Sequence, residues 1–197
     1  MSNLNKILEM ARNNNGMLTS RMVDDAGIAR TYLKLLVDSK KLEKSARGVY
    51  VLPEVIEDEF VRYQSQYKKG IYSKETALFL HDLTDRTPIV FSMTFPENYN
   101  LTKVKIDGIK ADRANDPYYS LGIVTVLSPS GNNVQAYDIE KTLCDILRPR
   151  SKIETSIVNE AFKRYLSRNN KNIPKLSKYA KQLKVDLKIR QYLEVLL

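Results

Sequence analysis

Residues 19–52 read TSRMVDDAGIARTYLKLLVDSKKLEKSARGVYVL, and this stretch decides the fold of the N-terminal part of the chain. Thr19 or Ser20 is a good N-cap for a short helix, and Gly27 provides its end. A longer helix follows, because the next apolar residues recur at helical spacing. The residues that share its apolar face are Leu33, Leu36 and Val37.

A strand pair follows this second helix. The residues 49–52 are mainly β-branched or aromatic, and the turn-forming residues 45–48 separate them from the preceding segment, which predicts a two-stranded hairpin. Upstream, Leu4, Ile7, Leu8 and Ala11 have the spacing of an amphipathic helix. Helix, short helix, helix and hairpin is the order of a winged helix-turn-helix, whose third helix enters the major groove of DNA.

Residues near the start of such a recognition helix contact base edges. The candidates for this role are Arg30, Thr31, Tyr32 and Lys34. Arg30 suits a bidentate contact to guanine, and Thr31 suits a thymine methyl or a phosphate. The candidates for contacts from the wing and to the DNA backbone are Lys40, Lys41, Lys44 and Arg47. The alternative is a protein-interaction module, in which these side chains are ordinary solvated residues.

The net charge of the 197-residue chain is +9. It is distributed unevenly: residues 1–62 carry +1, residues 63–138 are neutral, and residues 139–197 carry +8. Excess positive charge favours an anionic partner, with nucleic acid the first candidate. Any base-specific contacts are therefore expected from a nearly neutral domain, and phosphate affinity from the far end.

The C-terminal third contains regularly spaced lysines. Their spacing of three or four residues predicts one basic helical face with almost no acidic partners. The predicted basic residues of this region are Arg148, Arg150, Lys175, Lys178, Lys181, Lys184 and Lys188. Two interpretations stay open: a solvated face, or a surface for DNA, RNA or an acidic protein.

The rest of the chain predicts an α+β domain. Alternation over residues 89–95 indicates a strand, and Asp107-Gly108 predicts a hairpin between residues 104–106 and 109–111. Further strands are predicted near 121–127 and 134–137, followed by about four helices. The predicted division is a winged-helix domain over 1–62 and an α+β domain with a small sheet over 63–197.

The composition excludes several classes of function. A single cysteine rules out a disulfide framework and any Cys₄-type metal site, and a single histidine argues against a histidine-based triad or a His-rich metal site. No glycine-rich phosphate loop is present, and no apolar run approaches the length of about 20 residues that spans a bilayer. We therefore expect a cytoplasmic protein without membrane association, metal or cofactor, and not an enzyme.

Two further segments carry a family resemblance. Residues 71–88, IYSKETALFLHDLTDRTP, resemble the SxxxALxLHxLTDxxP segment of AbiEi-type abortive-infection antitoxins. Residues 138–147, DIEKTLCDIL, are similar to the ExTLxDxL stretch of that family, and the block ending at Arg47-Gly48-Val49-Tyr50 resembles its winged helix. One departure is Asp82, where the family more usually has glycine.

This resemblance implies an antitoxin of a type IV toxin–antitoxin system active in phage resistance. Family members repress their own operon by binding inverted repeats in its promoter, and they counteract a nucleotidyltransferase-like toxin without forming a stable complex. Their C-terminal domain is needed for antitoxin activity and assists DNA binding. The resemblance therefore implies two alternative roles for the basic residues of the C-terminal third: phosphate contacts beside the operator, or the antitoxin activity itself. The sequence contains no heptad repeat of the kind that forms a coiled-coil dimer. We therefore expect a monomer in solution and two copies per operator. The alternative is a winged-helix adaptor that binds RNA or protein.

Overall fold

The computed structural model describes residues 2–149 and 151–196. The chain forms two compact units, one of Met1–Lys68 with Leu127–Val134, the other of Lys69–Val126 with Gln135–Leu197. The division predicted between residues 62 and 63 falls inside a helix, Glu59–Gln66. Nothing in the sequence pattern indicated that residues 127–134 join the first unit.

The first unit has the predicted order of helices and strands. Its elements are α1 (Asn3–Asn13), β1 (Met17–Thr19), α2 (Ser20–Asp25), α3 (Thr31–Asp38), β2 (Glu43–Ala46), β3 (Val49–Val51) and α4 (Glu59–Gln66). The three strands form an antiparallel sheet in the order β1-β3-β2, with Leu18 opposite Tyr50 and Lys44 on the other side of Tyr50. This sheet and the three helices before the wing make the winged arrangement.

Apolar residues from the three helices close one core. The fully or almost fully buried members are Ile7, Ala11, Leu18, Val23, Ile28, Leu33, Leu36 and Leu42. Leu33 and Leu36 come from the face of α3 that the periodicity predicted, so the opposite face of α3 points to solvent. The packing of α3 thereby fixes which side chains a ligand can contact.

A buried carboxylate joins residues 127–134 to the rest of the first unit. Asp58 is 3% exposed and caps α4, since its Oδ1 accepts a hydrogen bond from the backbone N–H of Phe60 at 2.9 Å. Its Oδ2 accepts from the hydroxyl of Ser128 and, at 2.9 Å, from Nδ2 of Asn132. Both partners are buried. The loop 127–134, from far along the chain, therefore supplies hydrogen-bond donors to the carboxylate that caps α4.

The second unit combines one mixed sheet with helices. Its elements are β4 (Ile71–Tyr72), α5 (Lys74–Leu80), β5 (Ser92–Pro96), α6 (Thr102–Ile106), β6 (Lys110–Ala114), β7 (Ile123–Leu127), β8 (Asn133–Tyr137), α7 (Ile139–Ile146), α8 (Thr155–Ser167), α9 (Ile173–Gln182) and α10 (Asp186–Leu196). The strand order is β6-β5-β4-β8-β7. The pair β4/β5 is antiparallel, while β5/β6 and β4/β8 are parallel. The predicted α+β class, with four helices after the sheet, is confirmed.

The hairpin predicted at Asp107-Gly108 is wrong. The residues before it form α6, and β6 pairs with β5 in parallel, with Met93 opposite Ala111. Gly108 has a φ of +81° and its N–H donates to the carbonyl of Lys105, so it terminates a helix. A type I′ hairpin turn and a helix C-terminus both need a residue at positive φ, and the dipeptide alone does not distinguish them.

The helix α7 is the centre of the second unit. Leu143 and Cys144 are fully buried and pack with residues of α8, α9 and α10. Burial raises the pKa of the Cys144 thiol to about 12, which keeps it protonated and unreactive near neutral pH. Asp138 caps the helix, because its Oδ1 accepts a hydrogen bond from the N–H of Lys141 at 2.8 Å.

The single histidine, His81, is largely enclosed and is hydrogen-bonded to the backbone. His81 Nε2 lies 2.7 Å from the carbonyl oxygen of Tyr137, and burial lowers the pKa of His81. A neutral imidazole that donates to a backbone carbonyl ties α5 to the strand β8.

Among the described residues, no helix has both the length and the apolar character needed to cross a bilayer.

Candidate nucleic-acid interface

The turn between α2 and α3 is built from backbone hydrogen bonds. The N–H of Gly27 donates to the carbonyl of Asp24 and the N–H of Ile28 donates to that of Val23, the two bonds of a Schellman motif. Gly27 has a φ of +69°, a conformation that an L side chain adopts only with strain. Ile28 and Val23 are both buried in the core of this unit. The sequence thus sets the angle at which α3 leaves the turn.

The outward face of α3 carries four exposed residues. They are Thr31, Lys34, Leu35 and Asp38, whereas Tyr32 is half-buried against the core. Lys34 and Asp38 have opposite charges, so the face is electrically balanced. Two of the predicted contact residues, Thr31 and Lys34, lie where a helix in the major groove meets base edges.

Arg30 lies just before α3 and is held by a neighbouring carboxylate. Its Nε donates to Oδ1 of Asp24 at 2.8 Å, and its Nη2 donates to Oδ2 of the same residue. This hydrogen bond holds the pKa of Asp24 below its usual range and raises that of Arg30. One edge of the guanidinium is therefore occupied. The sequence prediction missed Asp24, which lies six residues away across the turn.

The wing places its basic residues in solvent. Lys44 on β2 and Arg47 in the turn are exposed, and Gly48 at a φ of +80° makes the turn tight. Lys40 and Lys41 follow the C-terminus of α3 and are exposed as well. All four predicted wing and backbone residues are accessible from solvent, in the same unit as α3.

The prediction of one basic helical face in the C-terminal third is wrong. The helix α9 ends at Gln182, Lys184 lies in the turn at a φ of +57°, and Lys188 belongs to α10. Lys188 donates through Nζ to the carbonyl of Leu147 at 2.8 Å. The break occurs because a residue at positive φ cannot continue a right-handed helix.

The prediction that these lysines lack acidic partners is also wrong for Lys175. Its Nζ lies 3.0 Å from Asp138 Oδ2 and 3.1 Å from Glu140 Oε2, two carboxylates of the α7 N-terminus that are themselves buried. Burial lowers the pKa of Lys175, but the hydrogen bonds to Asp138 and Glu140 outweigh it and raise the pKa. The pairing joins residues far apart in sequence, which a local pattern does not reveal.

Three lysines remain as an exposed basic group. Lys178, Lys181 and Lys184 have no ion pair in the part of the chain that the structure describes. Arg148 is exposed, with Nη1 3.8 Å from Oδ1 of Asp145. Arg150 lies outside the described residues. The basic group of the second unit is therefore smaller than the sequence predicted, and we refer to Lys178, Lys181 and Lys184 as the lysine group.

A comparison with protein families identifies the winged part of the first unit. Residues 5–53 match the model of a family described as "Transcriptional regulator, AbiEi antitoxin". Over these residues the chain is similar to the AbiEi antitoxin family. The matched residues run from α1 to the end of the wing, so the AbiEi match includes the exposed face of α3. The resemblance seen in the sequence is confirmed over this part of the chain.

The fold as a whole resembles a solved structure. The crystal structure of the RV2827C protein from Mycobacterium tuberculosis aligns with a TM-score of 0.52, covering 89% of this chain and 71% of that chain at 13% identity. At this identity the alignment shows a shared fold and no more. No curated protein matches the chain significantly in sequence.

Proposed function

We propose that this AbiEi-type transcriptional regulator represses its own promoter by binding inverted repeats, and that it is the antitoxin of a type IV abortive-infection system. The observation that carries the proposal is the exposed face of α3 within the segment that matches the AbiEi family. A winged helix uses this face to read the major groove. The cytoplasm is where such a promoter is located.

Within this proposal the residues have separate roles. The residues that contact bases or phosphates from the start of α3 are Arg30, Thr31 and Lys34, with Tyr32 at the margin of that face. Phosphate contacts from the wing and the end of α3 are assigned to Lys40, Lys41, Lys44 and Arg47. Each copy binds one half-site as a monomer, and two copies occupy an operator. None of these roles requires catalysis.

The antitoxin role rests on the family match and on the resemblance of residues 71–88 and 138–147 to antitoxin segments. The toxin that it counteracts is a nucleotidyltransferase-like protein, and no stable complex with it is expected. The lysine group is a surface for DNA phosphates in the promoter complex. Its exposure and its lack of described carboxylate partners support this assignment.

The test is a titration of the full-length protein with a duplex of its own promoter and with a scrambled duplex of the same composition. We expect binding to the promoter to be at least about a thousandfold tighter at physiological salt, as for specific DNA-binding proteins. Equal affinity for both duplexes contradicts the proposal.

Arg30 and Asp24 provide a sharper prediction within this function. Arg30→Ala is expected to weaken promoter binding by about 1–3 kcal/mol and to relax the preference at one base pair, because a bidentate arginine–guanine contact is lost. Asp24→Asn is expected to tighten binding, since it releases the guanidinium from its ion pair. Fluorescence anisotropy with promoter duplexes measures both effects.

The matched control is Arg21→Ala, which removes an exposed arginine that pairs with Asp25 on α2. We expect it to change affinity for promoter and scrambled duplexes alike. An unchanged promoter affinity of Arg30→Ala contradicts the role of Arg30 in base contact, while the other residues of α3 remain to be tested.

One observation favours the alternative, an adaptor that binds protein or RNA. Leu35 is 53% exposed on the same face as Thr31 and Lys34, and exposed apolar side chains are common at protein interfaces. Equal affinity of the protein for promoter and scrambled duplexes is the result that favours this adaptor.

A further inference from the structure

We propose that Leu35 recognises the C5-methyl group of a thymine in the major groove, and so makes the repressor selective for one thymine in each half-site. This inference rests on the proposed DNA-binding function and adds a specificity residue to it. The argument starts from the position of Leu35 on α3.

The side chain of Leu35 is not part of the core. Leu33 and Leu36 are each 1% exposed, and Tyr32 and Val37 pack against the same core, whereas Leu35 is 53% exposed. It lies four residues after Thr31 and three before Asp38, the spacing of neighbours on one helical face. Leu35 is therefore near the middle of the outward face of α3.

Leu35 also differs in exposure from the other large aliphatic residues of the winged segment. Among residues 2–52 that the structure describes, it is the only large aliphatic side chain that is exposed. Its neighbours on the face are polar or charged: Thr31, Lys34 and Asp38. The exposed half of the Leu35 side chain faces solvent in the free protein and is available to a ligand of this face.

Duplex DNA offers one apolar group to such a face. In the major groove, thymine alone presents a methyl group, and apolar side chains recognise it by contact. Burying a group of this size favours binding about fourfold. Arg30 reaches a base only by leaving Asp24, whereas a methyl contact by Leu35 uses a side chain that is already exposed in the free protein.

The experiment replaces each thymine of the promoter half-site, one at a time, by deoxyuridine, which lacks only the methyl group. We expect one position at which wild-type protein binds the deoxyuridine duplex about fourfold more weakly. Leu35→Ala is expected to bind the two duplexes of that position equally. The circular dichroism spectrum and the melting temperature of Leu35→Ala establish that this variant is folded.

One control separates Leu35 from other exposed aliphatic residues. Ile56→Ala removes an aliphatic side chain that is 91% exposed in the same unit but outside α3. This variant is expected to keep the preference for thymine.

Two results overturn the inference: wild-type protein that binds all thymine and deoxyuridine duplexes equally, or a Leu35→Ala variant that keeps the full preference. Either leaves the proposed function intact as long as wild-type protein still prefers the promoter to a scrambled duplex. Loss of that preference in wild-type protein is the separate result that overturns the function itself, and the inference with it.

Discussion

Replacing Lys178, Lys181 and Lys184 together by glutamate is expected to lower promoter affinity on the order of a hundredfold at about 0.15 M salt. If each lysine neutralises one phosphate, three bound counterions are no longer released. The slope of log K against log salt should then become less steep by about 2.7. Titrations of the full-length protein at several salt concentrations measure both quantities.

Lys103 and Lys105 on α6 provide the matched control, because both are exposed lysines of the same unit. Their replacement by glutamate lowers the net charge by four at a different location, compared with six for the three substitutions of the lysine-group variant. It is expected to leave the slope nearly unchanged. If the lysine-group variant keeps the wild-type slope and still neutralises the toxin in cells, the lysine group is only a solvated surface and its proposed role is wrong.

Asp58→Ala is expected to lower the free energy of unfolding of the first unit by about 3 kcal/mol, although Asp58 belongs to no predicted contact surface. The substitution removes the cap of α4 and leaves the hydroxyl of Ser128 and the amide of Asn132 without their buried acceptor. Urea denaturation at neutral pH measures the loss.

Glu54→Ala is the control for Asp58→Ala, since Glu54 is an exposed carboxylate four residues upstream. We expect its effect to stay within about 0.5 kcal/mol. A loss below about 1 kcal/mol in Asp58→Ala shows that the buried contacts of Asp58 do not stabilise the unit.

Local patterns in the sequence predicted the parts of the fold that local interactions determine. The spacing of Leu33 and Leu36 gives the buried face of α3, and Thr19 caps α2 because its hydroxyl accepts a hydrogen bond from the N–H of Met22. Both involve residues within four positions of each other. For such features the chemistry of the residue and its spacing are sufficient.

The errors in prediction arise where contacts connect distant residues or where one motif serves two structures. Lys175 meets Asp138 across 37 positions of the sequence, so the pattern of lysines alone suggested an unpaired face. Gly108 ends a helix with the same positive φ that a hairpin turn requires. Arg30 pairs with Asp24 across the turn between two helices, which only the folded arrangement of that turn reveals.

The first unit is discontinuous along the chain, and this limits which gene segments can be exchanged by recombination. Residues 5–53 match the family, yet the folded unit also includes residues 127–134, whose Ser128 and Asn132 satisfy Asp58. A gene fragment encoding residues 1–68 alone would lack these donors. Recombination that exchanges only the N-terminal segment between related genes must therefore also keep a compatible loop more than fifty codons downstream. The evolution of the winged segment is thereby coupled to that of residues 127–134, which lie between two segments of the second unit in the sequence.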